Sequence, residues 1–360
     1  MTFKKSLYLE KIILMRRLPI YFLIDVSESM VGEPIKQVED GMRTIIQELR
    51  TDPYALETVF VSVVAFAGRA KSLSPLTELY KFYPPKFPIG GGTALGTALN
   101  YLMDDMERSV QKTTLEVKGD WKPIIFLFTD GTPTDDPTSA IEKWQRHYKT
   151  KCHMVCISIG DNADTNLLGK LSENVLRLNG TDEYSFKAFF KWVTASIKTS
   201  SVSVSDMGVD ELKLAPLNGI SLEKVDTERR SVVDENFVVL HGRCSNTRNR
   251  YLIKFAKRVG ASDFLPNFSV LKYRLVGAYP IEEASFESLS DGLSNRNINT
   301  NDLMGVPTCP CCGNQYGLVV CECGNIMCSD GRTCSCPWCG MEGTLGDIQD
   351  GGMDITRGRG

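Results

Sequence analysis

The 360-residue chain lacks any uninterrupted apolar run of about 18 residues, the length that a membrane-spanning helix needs, so no transmembrane segment is predicted. The apolar stretch at residues 12–15 is also shorter than the roughly 7 to 15 residues of a secretory signal. Neither basic residues (41) nor acidic residues (44) are in large excess. These absences predict a cytoplasmic protein and give no reason to expect nucleic acid or membrane as a partner.

The motifs of several common enzymes are also missing. The chain has three histidines, and none of them forms an H-E-x-x-H zinc motif. A G-x-S-x-G nucleophile elbow and a Walker lysine motif are likewise absent. The sequence therefore favours a protein that is not an enzyme, with a metal-dependent hydrolase or phosphatase as the alternative.

Short apolar runs alternate with amphipathic segments from residue 18 to residue 199. The runs are continuously apolar, as expected of strands buried on both faces. The predicted strands are 19–25, 59–66, 123–128 and 154–159, and the predicted helices are 34–50, 93–110, 137–150 and 184–197. This alternation predicts an α/β fold with a doubly wound, mainly parallel sheet.

The remainder of the chain differs in character. Apolar runs at 238–240, 251–255 and 273–276 predict strands with little helix among them. We therefore predict a small β-rich unit. Turn-forming residues favour a linker and a flexible tail on either side of a cysteine-rich module. The predicted divisions are an N-terminal extension at 1–17, the α/β domain at 18–199, the β-rich unit at 200–288, the linker at 289–307, the cysteine module at 308–340 and the tail at 341–360. Met15 offers a second translation start, so a start at Met1 or Met15 stays open.

Oxygen-bearing side chains occur in three loops of the predicted α/β domain. Two of these loops directly follow predicted strands, and the third is a Gly-Gly-Gly-Thr segment before a predicted helix. Ligands bind such sheets at the carboxyl ends of the strands, and hard oxygen ligands suit Mg²⁺, or Mn²⁺ as a substitute. The candidate ligands are Asp25, Ser27, Ser29, Thr93 and Asp130. Few of them are anionic, so the bound ion would accept a carboxylate from a protein partner.

Two further carboxylates, Asp135 and Asp136, follow Asp130 closely. We interpret both as caps of the helix after Pro137 rather than as ligands.

Residues 18–199, with the D-x-S-x-S loop and all five candidate ligands, resemble a von Willebrand factor A (vWA) domain. The resemblance implies a Rossmann-like α/β sandwich. It also implies a metal-ion-dependent adhesion site (MIDAS), in which Mg²⁺ engages an acidic side chain of a protein partner.

Nine of the twelve cysteines lie between Cys309 and Cys339. Two C-P-x-C-G segments have the form of zinc knuckles, and a structural zinc stabilises a module too small to have a large apolar core. The first predicted zinc site is Cys309, Cys312, Cys336 and Cys339. The possible second site is Cys321, Cys323, Cys328 and Cys334. The sequence leaves open whether one or two ions bind and how the pairs combine.

Three cysteines outside the module, Cys152, Cys156 and Cys244, are interpreted as small hydrophobic residues. Cys311 is the one cysteine of the module that neither predicted zinc site includes. From residue 301 to residue 360, three arginines face seven acidic residues, which argues against nucleic acid binding. A ubiquitin ligase of the RING type is a further alternative, although the module contains no histidine.

The combined order of the parts resembles the TerY family of vWA proteins, which is associated with tellurite resistance and has a C-terminal zinc-binding domain. The resemblance implies a cytoplasmic bacterial scaffold in a stress response, with a protein kinase and a PP2C-type phosphatase as possible partners.

Overall fold

The structure is a computed structural model that describes residues 16–115, 118–160, 163–178, 183–203, 212–217, 222–224, 237–261, 269–292, 296–343 and 352–358. The predicted extension at 1–17 lies outside these ranges except for its last two residues.

A seven-stranded sheet forms the N-terminal domain, in the order β3-β2-β1-β4-β5-β6-β7. Its five inner strands are parallel, and the two edge strands are antiparallel to their neighbours. The strands are β1 (Leu18–Asp25), β2 (Val59–Phe66), β3 (Ala70–Glu78), β4 (Ile124–Thr129), β5 (His153–Ile159), β6 (Asn174–Leu178) and β7 (Leu222–Lys224). The predicted doubly wound, mainly parallel sheet is confirmed.

Helices cover both faces of this sheet, which explains why all eight residues of β1 are buried. On one face lie α1 (Glu33–Leu49), α2 (Pro53–Thr58) and α6 (Glu183–Val202). On the other face lie α3 (Leu95–Ser109), α4 (Thr138–His147) and α5 (Thr165–Leu171). Successive side chains of the central strands alternate between the two cores: Phe22 belongs to the first and Leu23 to the second.

A six-stranded sheet, in the order β12-β10-β9-β8-β14-β13, organises the C-terminal domain. Strand β14 pairs in parallel with β8 and antiparallel with β13. The strands are β8 (Phe237–Arg243), β9 (Arg250–Ala261), β10 (Ser269–Pro280), β12 (Leu303–Met304), β13 (Tyr316–Val320) and β14 (Ile326–Ser329). The sheet therefore joins the predicted β-rich unit and the cysteine module into one body, although the sequence suggested two.

The predicted linker and tail also contribute to this body. Strand β11 (Asn297–Asn299) pairs antiparallel with β17 (Asp354–Thr356), and their central residues Ile298 and Ile355 are buried in the same core. Helix α7 (Glu283–Leu289) precedes them, and β15 (Cys334–Ser335) pairs with β16 (Glu342–Gly343). The described parts of 289–307 and 341–360 are therefore ordered by pairing and by single buried apolar residues.

The two domains share an apolar contact. Val31, next to the loop after β1, packs with Val239, Leu252 and Phe286 of the C-terminal domain. Among the described helices, none is both long and apolar enough to cross a bilayer.

Helix α1 packs closely on α6 at Gly41, where an added Cβ atom would lie 1.9 Å from the Phe190 ring. Gly41→Ala should therefore lower the free energy of unfolding by about 1–3 kcal/mol through overpacking. Urea denaturation measures the change. The control Gln47→Ala, at an exposed position of the same helix, should stay within about 0.5 kcal/mol of the unsubstituted chain, and equal stabilities for the two variants would contradict the prediction.

Candidate metal centres

The loop after β1 and the loop after β4 lie side by side because these strands are parallel neighbours. Ile24 is paired with Phe128, so Asp25 and Asp130 emerge at the same edge of the sheet. Ser27 directly precedes the single 3-10 turn Glu28–Met30, and Ser29 lies within that turn. The five predicted ligands are almost completely buried, with Asp130 the most exposed at 6%.

Hydrogen bonds connect four of these residues. The Ser29 hydroxyl donates to Asp130 Oδ1 at 2.8 Å, and the hydroxyl oxygens of Ser27 and Ser29 are 3.0 Å apart. The Ser27 amide donates to Asp25 Oδ1 at 2.9 Å. The structure therefore brings together the two carboxylates and two of the hydroxyls that the sequence predicted as ligands.

Thr93 reaches the same place from the glycine loop. Its amide donates to Thr134 Oγ1 at 2.9 Å, and its own Oγ1 is buried without a hydrogen-bond partner in the part of the chain that the structure describes. A buried hydroxyl without a partner is costly. Coordination to an ion would satisfy it, so the residues present fit a divalent cation with oxygen ligands.

Electrostatics gives the same indication. Burial, and then the charge of Asp130, raise the pKa of Asp25 to about 7 from its ordinary value of 3.8. Thr129 opposes this rise by donating from Oγ1 to Asp25 Oδ2 at 2.7 Å. Two carboxylates at such a site repel each other unless a proton or a cation lies between them. Thr129 is a supporting residue that the sequence reasoning missed, although it directly precedes Asp130.

Asp135 and Asp136 have different structural roles. Asp136 Oδ1 accepts from the Thr138 amide at 3.0 Å and so caps α4, as expected. Asp135 instead accepts from the amides of Gly96 and Thr97, at 3.2 and 2.9 Å. The prediction for Asp135 is thus corrected: its carboxylate accepts hydrogen bonds from amides in the first turn of α3 and does not cap α4.

The C-terminal domain supplies contacts to this region that the sequence did not indicate. His241 is hydrogen-bonded to the buried carboxylate of Glu28. The ammonium of Lys254 donates to the Ser29 carbonyl at 2.5 Å. Burial lowers the pKa of Lys254, and the charge of Asp130 opposes that effect. Ser290 accepts from the Gly91 amide through its hydroxyl at 2.8 Å.

Eight cysteines form two separate clusters in the C-terminal domain. In each cluster the four sulfur atoms lie within 4.8 Å of one another. The first comprises Cys244, Cys309, Cys312 and Cys328, and the second comprises Cys321, Cys323, Cys336 and Cys339.

The sulfur spacing agrees with tetrahedral zinc. Two sulfur pairs of the first cluster are each 3.8 Å apart, and two pairs of the second are 3.7 and 3.9 Å apart. Zinc–sulfur bonds of about 2.3 Å place the corners of a tetrahedron about 3.8 Å from one another. The geometry therefore fits two Cys₄ zinc sites rather than one.

This grouping corrects the predicted one. Cys309 and Cys312 do not join Cys336 and Cys339, because β14 carries Cys328 next to the turn after β8 and so completes the first cluster with Cys244. Cys321 and Cys323 join Cys336 and Cys339 instead. Cys334 lies outside both clusters, as does Cys311, the cysteine predicted to be left over.

Cys244 belongs to a third knuckle that the sequence does not display openly. In both C-P-x-C-G knuckles, the first cysteine accepts through its carbonyl from a glycine amide four residues later, and its amide donates to a carbonyl five residues later. Cys244 makes the same two bonds, to Arg248 and Asn249. Arg248 has φ 64°, a left-handed conformation that glycine has in the other two. A glycine there would have revealed the motif.

Hydrogen bonds also prepare Cys244 as a ligand. Burial acts to raise its pKa, but hydrogen bonds from Thr247, including a 3.3 Å bond from its amide, bring the pKa down to about 6. A thiolate is the form that binds zinc. Cys152, just before β5, and Cys156, on β5, are in contrast buried in the apolar core, and burial raises the pKa of each thiol. They fit the structural role that the sequence predicted.

Family models match both halves of the chain. The von Willebrand factor type A domain matches residues 20–191, and the TerY-C metal binding domain matches residues 234–360. The chain is a vWA protein with a TerY-C metal-binding domain. The TerY-C match includes Cys244 and both cysteine clusters, in agreement with the single C-terminal body described above.

Curated relatives of this vWA protein match less than half of the chain. Inter-alpha-trypsin inhibitor heavy chain H1 of Bos taurus is 25% identical over 158 residues, which cover 42% of this chain and 17% of the relative. Heavy chain H2 of Mus musculus is 29% identical over 196 residues, covering 49% and 20% respectively. The chain thus spans a fifth or less of the length of these two relatives.

Solved structures similar to the vWA protein include two from different sources. Proximal thread matrix protein 1 from the mussel byssus, with a zinc-occupied MIDAS motif, is 19% identical, with 51% of this chain and 48% of that chain covered and a TM-score of 0.38. A von Willebrand factor type A protein from Catenulispora acidiphila is 14% identical, with 79% and 61% covered and a TM-score of 0.40.

The two-cluster geometry predicts that Cys244 is a zinc ligand. Cys244→Ser should reduce the zinc content of the purified protein from two ions to one, because only the first cluster loses a thiolate. Metal analysis by mass spectrometry gives the stoichiometry. Cys311→Ser and Cys334→Ser are matched controls that should keep both ions, and loss of zinc from either control but not from Cys244→Ser would contradict the grouping.

The raised pKa of Asp25 predicts how cation binding at the oxygen site depends on pH. An ion must displace the proton that Asp25 holds below about pH 7, so Mn²⁺ affinity should fall about tenfold per pH unit below that value. Isothermal titration at pH 6, 7 and 8 measures the slope. Asp25→Asn should bind weakly without this slope, whereas an unchanged slope in that variant would contradict the assignment.

Proposed function

We propose that the chain is a non-enzymatic, metal-dependent protein-binding scaffold of the TerY type. Mg²⁺, or Mn²⁺ in its place, is held by Asp25, Ser27, Ser29, Thr93 and Asp130, directly or through water. A partner protein supplies an aspartate or glutamate as a further ligand. The observation that carries this proposal is the buried, partnerless Thr93 hydroxyl, among the described residues, in a site with two carboxylates.

The ligand set supports a docking role. Only two of the five proposed ligands are carboxylates, and the other three are neutral hydroxyls. An ion bound by these ligands stays electrophilic enough to bind one more carboxylate. Mg²⁺ prefers oxygen ligands in octahedral geometry, which leaves a position for a group from outside the chain.

The nearby basic side chains are engaged in structural contacts. His241 is hydrogen-bonded to Glu28, and Lys254 donates to backbone carbonyls. While it makes these contacts, neither side chain is positioned to act as a general base on a water molecule bound to the ion. This arrangement supports binding rather than hydrolysis as the function.

The C-terminal domain would then act as a zinc-stabilised scaffold. Its two Cys₄ clusters offer no open coordination position, which is typical of structural zinc. We extend the family resemblance to a role in a cytoplasmic tellurite or stress response, with a protein kinase and a PP2C-type phosphatase as candidate partners.

Affinity capture from a bacterial lysate tests the proposal. The unsubstituted chain should retain a partner in Mg²⁺ and release it in excess EDTA, whereas Asp25→Ala should reduce capture to background by removing a ligand. Quantitative mass spectrometry compares the eluates, and circular dichroism checks that the variant is folded.

The control for this experiment is Asp136→Ala, which removes a nearby exposed carboxylate that is not a proposed ligand. It should capture the partner as the unsubstituted chain does. Capture that persists in EDTA or in Asp25→Ala would contradict a metal-dependent adhesion site.

A further inference from the structure

We propose that Lys254 of the C-terminal domain sets the ligand preference of the oxygen site: its ammonium weakens binding of the cation and strengthens binding of a carboxylate to the loaded site. The inference rests on the proposed function, because it concerns the same ion. It assigns a positioning and specificity role to a residue outside the vWA domain.

Lys254 extends from β9 to the turn that carries the ligand hydroxyls. Its side chain is 4% exposed, and its ammonium lies 2.5 Å from the carbonyl oxygen of Ser29 and 3.5 Å from that of Val31. The Phe237 ring lies 4.4 Å from the same nitrogen. The ammonium is therefore held against the backbone of a predicted metal ligand.

The ammonium of Lys254 is hydrogen-bonded to backbone carbonyls rather than to a carboxylate. Within the described residues, no carboxylate lies within ion-pair distance of its ammonium, while Asp130 is close enough to interact with it electrostatically. The neighbouring Glu28 carboxylate is paired with His241. A positive charge in this position opposes a second cation and favours an anion, and low local polarity strengthens both effects.

Packing alone does not account for a lysine here. Burying an ammonium has a large desolvation cost, so a lysine at a buried position needs a reason other than the filling of space. The position of the charge, beside the site rather than elsewhere in the interface, supports a role in ligand selection.

The domain contact keeps this charge in place. The Gly91 amide of the glycine loop donates to Ser290 Oγ, and the Arg69 amide donates to the Leu289 carbonyl, both at 2.8 Å. The glycine loop is thus attached to the C-terminal domain, and the loop after β1 is attached to it through Lys254 and His241. Partner selection at the ion would consequently depend on both domains.

The test uses the full-length, zinc-loaded chain and two probes, Mn²⁺ alone and then acetate added to the Mn²⁺-loaded protein. Lys254→Gln removes the charge and keeps a donor for the Ser29 carbonyl. The matched control Lys257→Gln removes a lysine that lies three residues further along the same strand, so that its side chain points to the opposite face. Lys254→Met is a second uncharged variant in case the first does not fold.

Electron paramagnetic resonance of free Mn²⁺ gives the cation affinity, and water proton relaxation gives the acetate affinity. Lys254→Gln should bind Mn²⁺ about tenfold more tightly and acetate about tenfold more weakly than the unsubstituted chain. Lys257→Gln should match the unsubstituted chain in both. This opposite change in two affinities is the expected signature of a charge effect.

A purely structural role for Lys254 would lower both affinities together, and that result would overturn the inference. Unchanged affinities in Lys254→Gln and Lys254→Met would overturn it as well. The proposed function fails separately if the unsubstituted chain and Asp25→Ala bind Mn²⁺ equally, because the ion would then not occupy the oxygen site.

Discussion

The repulsion between Asp25 and Asp130 is the constraint on which the loops at the carboxyl ends of β1 and β4 depend. Both carboxylates are buried at the ends of adjacent parallel strands, where water cannot separate their charges. Hydroxyl donors from Ser29 and Thr129 reduce the repulsion, and a proton on Asp25 or a bound cation removes it. The loop that carries Ser29 is also a loop that the C-terminal domain contacts, through Lys254 and His241. The carboxylate repulsion and a contact between the two domains therefore act on the same loop.

Much of this site could be predicted from the sequence because its signals are local. Continuous apolar runs marked the parallel strands, and the five oxygen-bearing residues follow strands or glycines that any reader can find. The contribution of Lys254 could not be predicted in this way, since it lies 225 residues from Ser29 and nothing near it suggests a ligand. A contact between domains leaves no periodic pattern in either segment.

The C-terminal domain shows a second limit of local reasoning. The number and spacing of the cysteines predict a zinc module, but the predicted grouping of the cysteines is wrong because spacing does not show which strands become neighbours. Cys244 resembles a small hydrophobic residue in the sequence because Arg248 stands where the other knuckles have glycine. The short strands around Ile298 and Ile355 each have one buried apolar residue at their centre, so their polar neighbours suggested a linker and a tail.

The cysteines of one cluster lie close together in the sequence and those of the other lie far apart, and this difference has a consequence for assembly. Cys321, Cys323, Cys336 and Cys339 lie within one short segment, whereas the other cluster joins Cys328 to Cys244 across 84 residues. Loop closure costs more entropy for longer segments, and this cluster also requires β14 beside β8. We therefore expect the cluster within residues 321–339 to form at the lower entropic cost. Loss of metal from the other cluster would act on the pairing of β14 with β8, because Cys328 and Cys244 hold these two strands together.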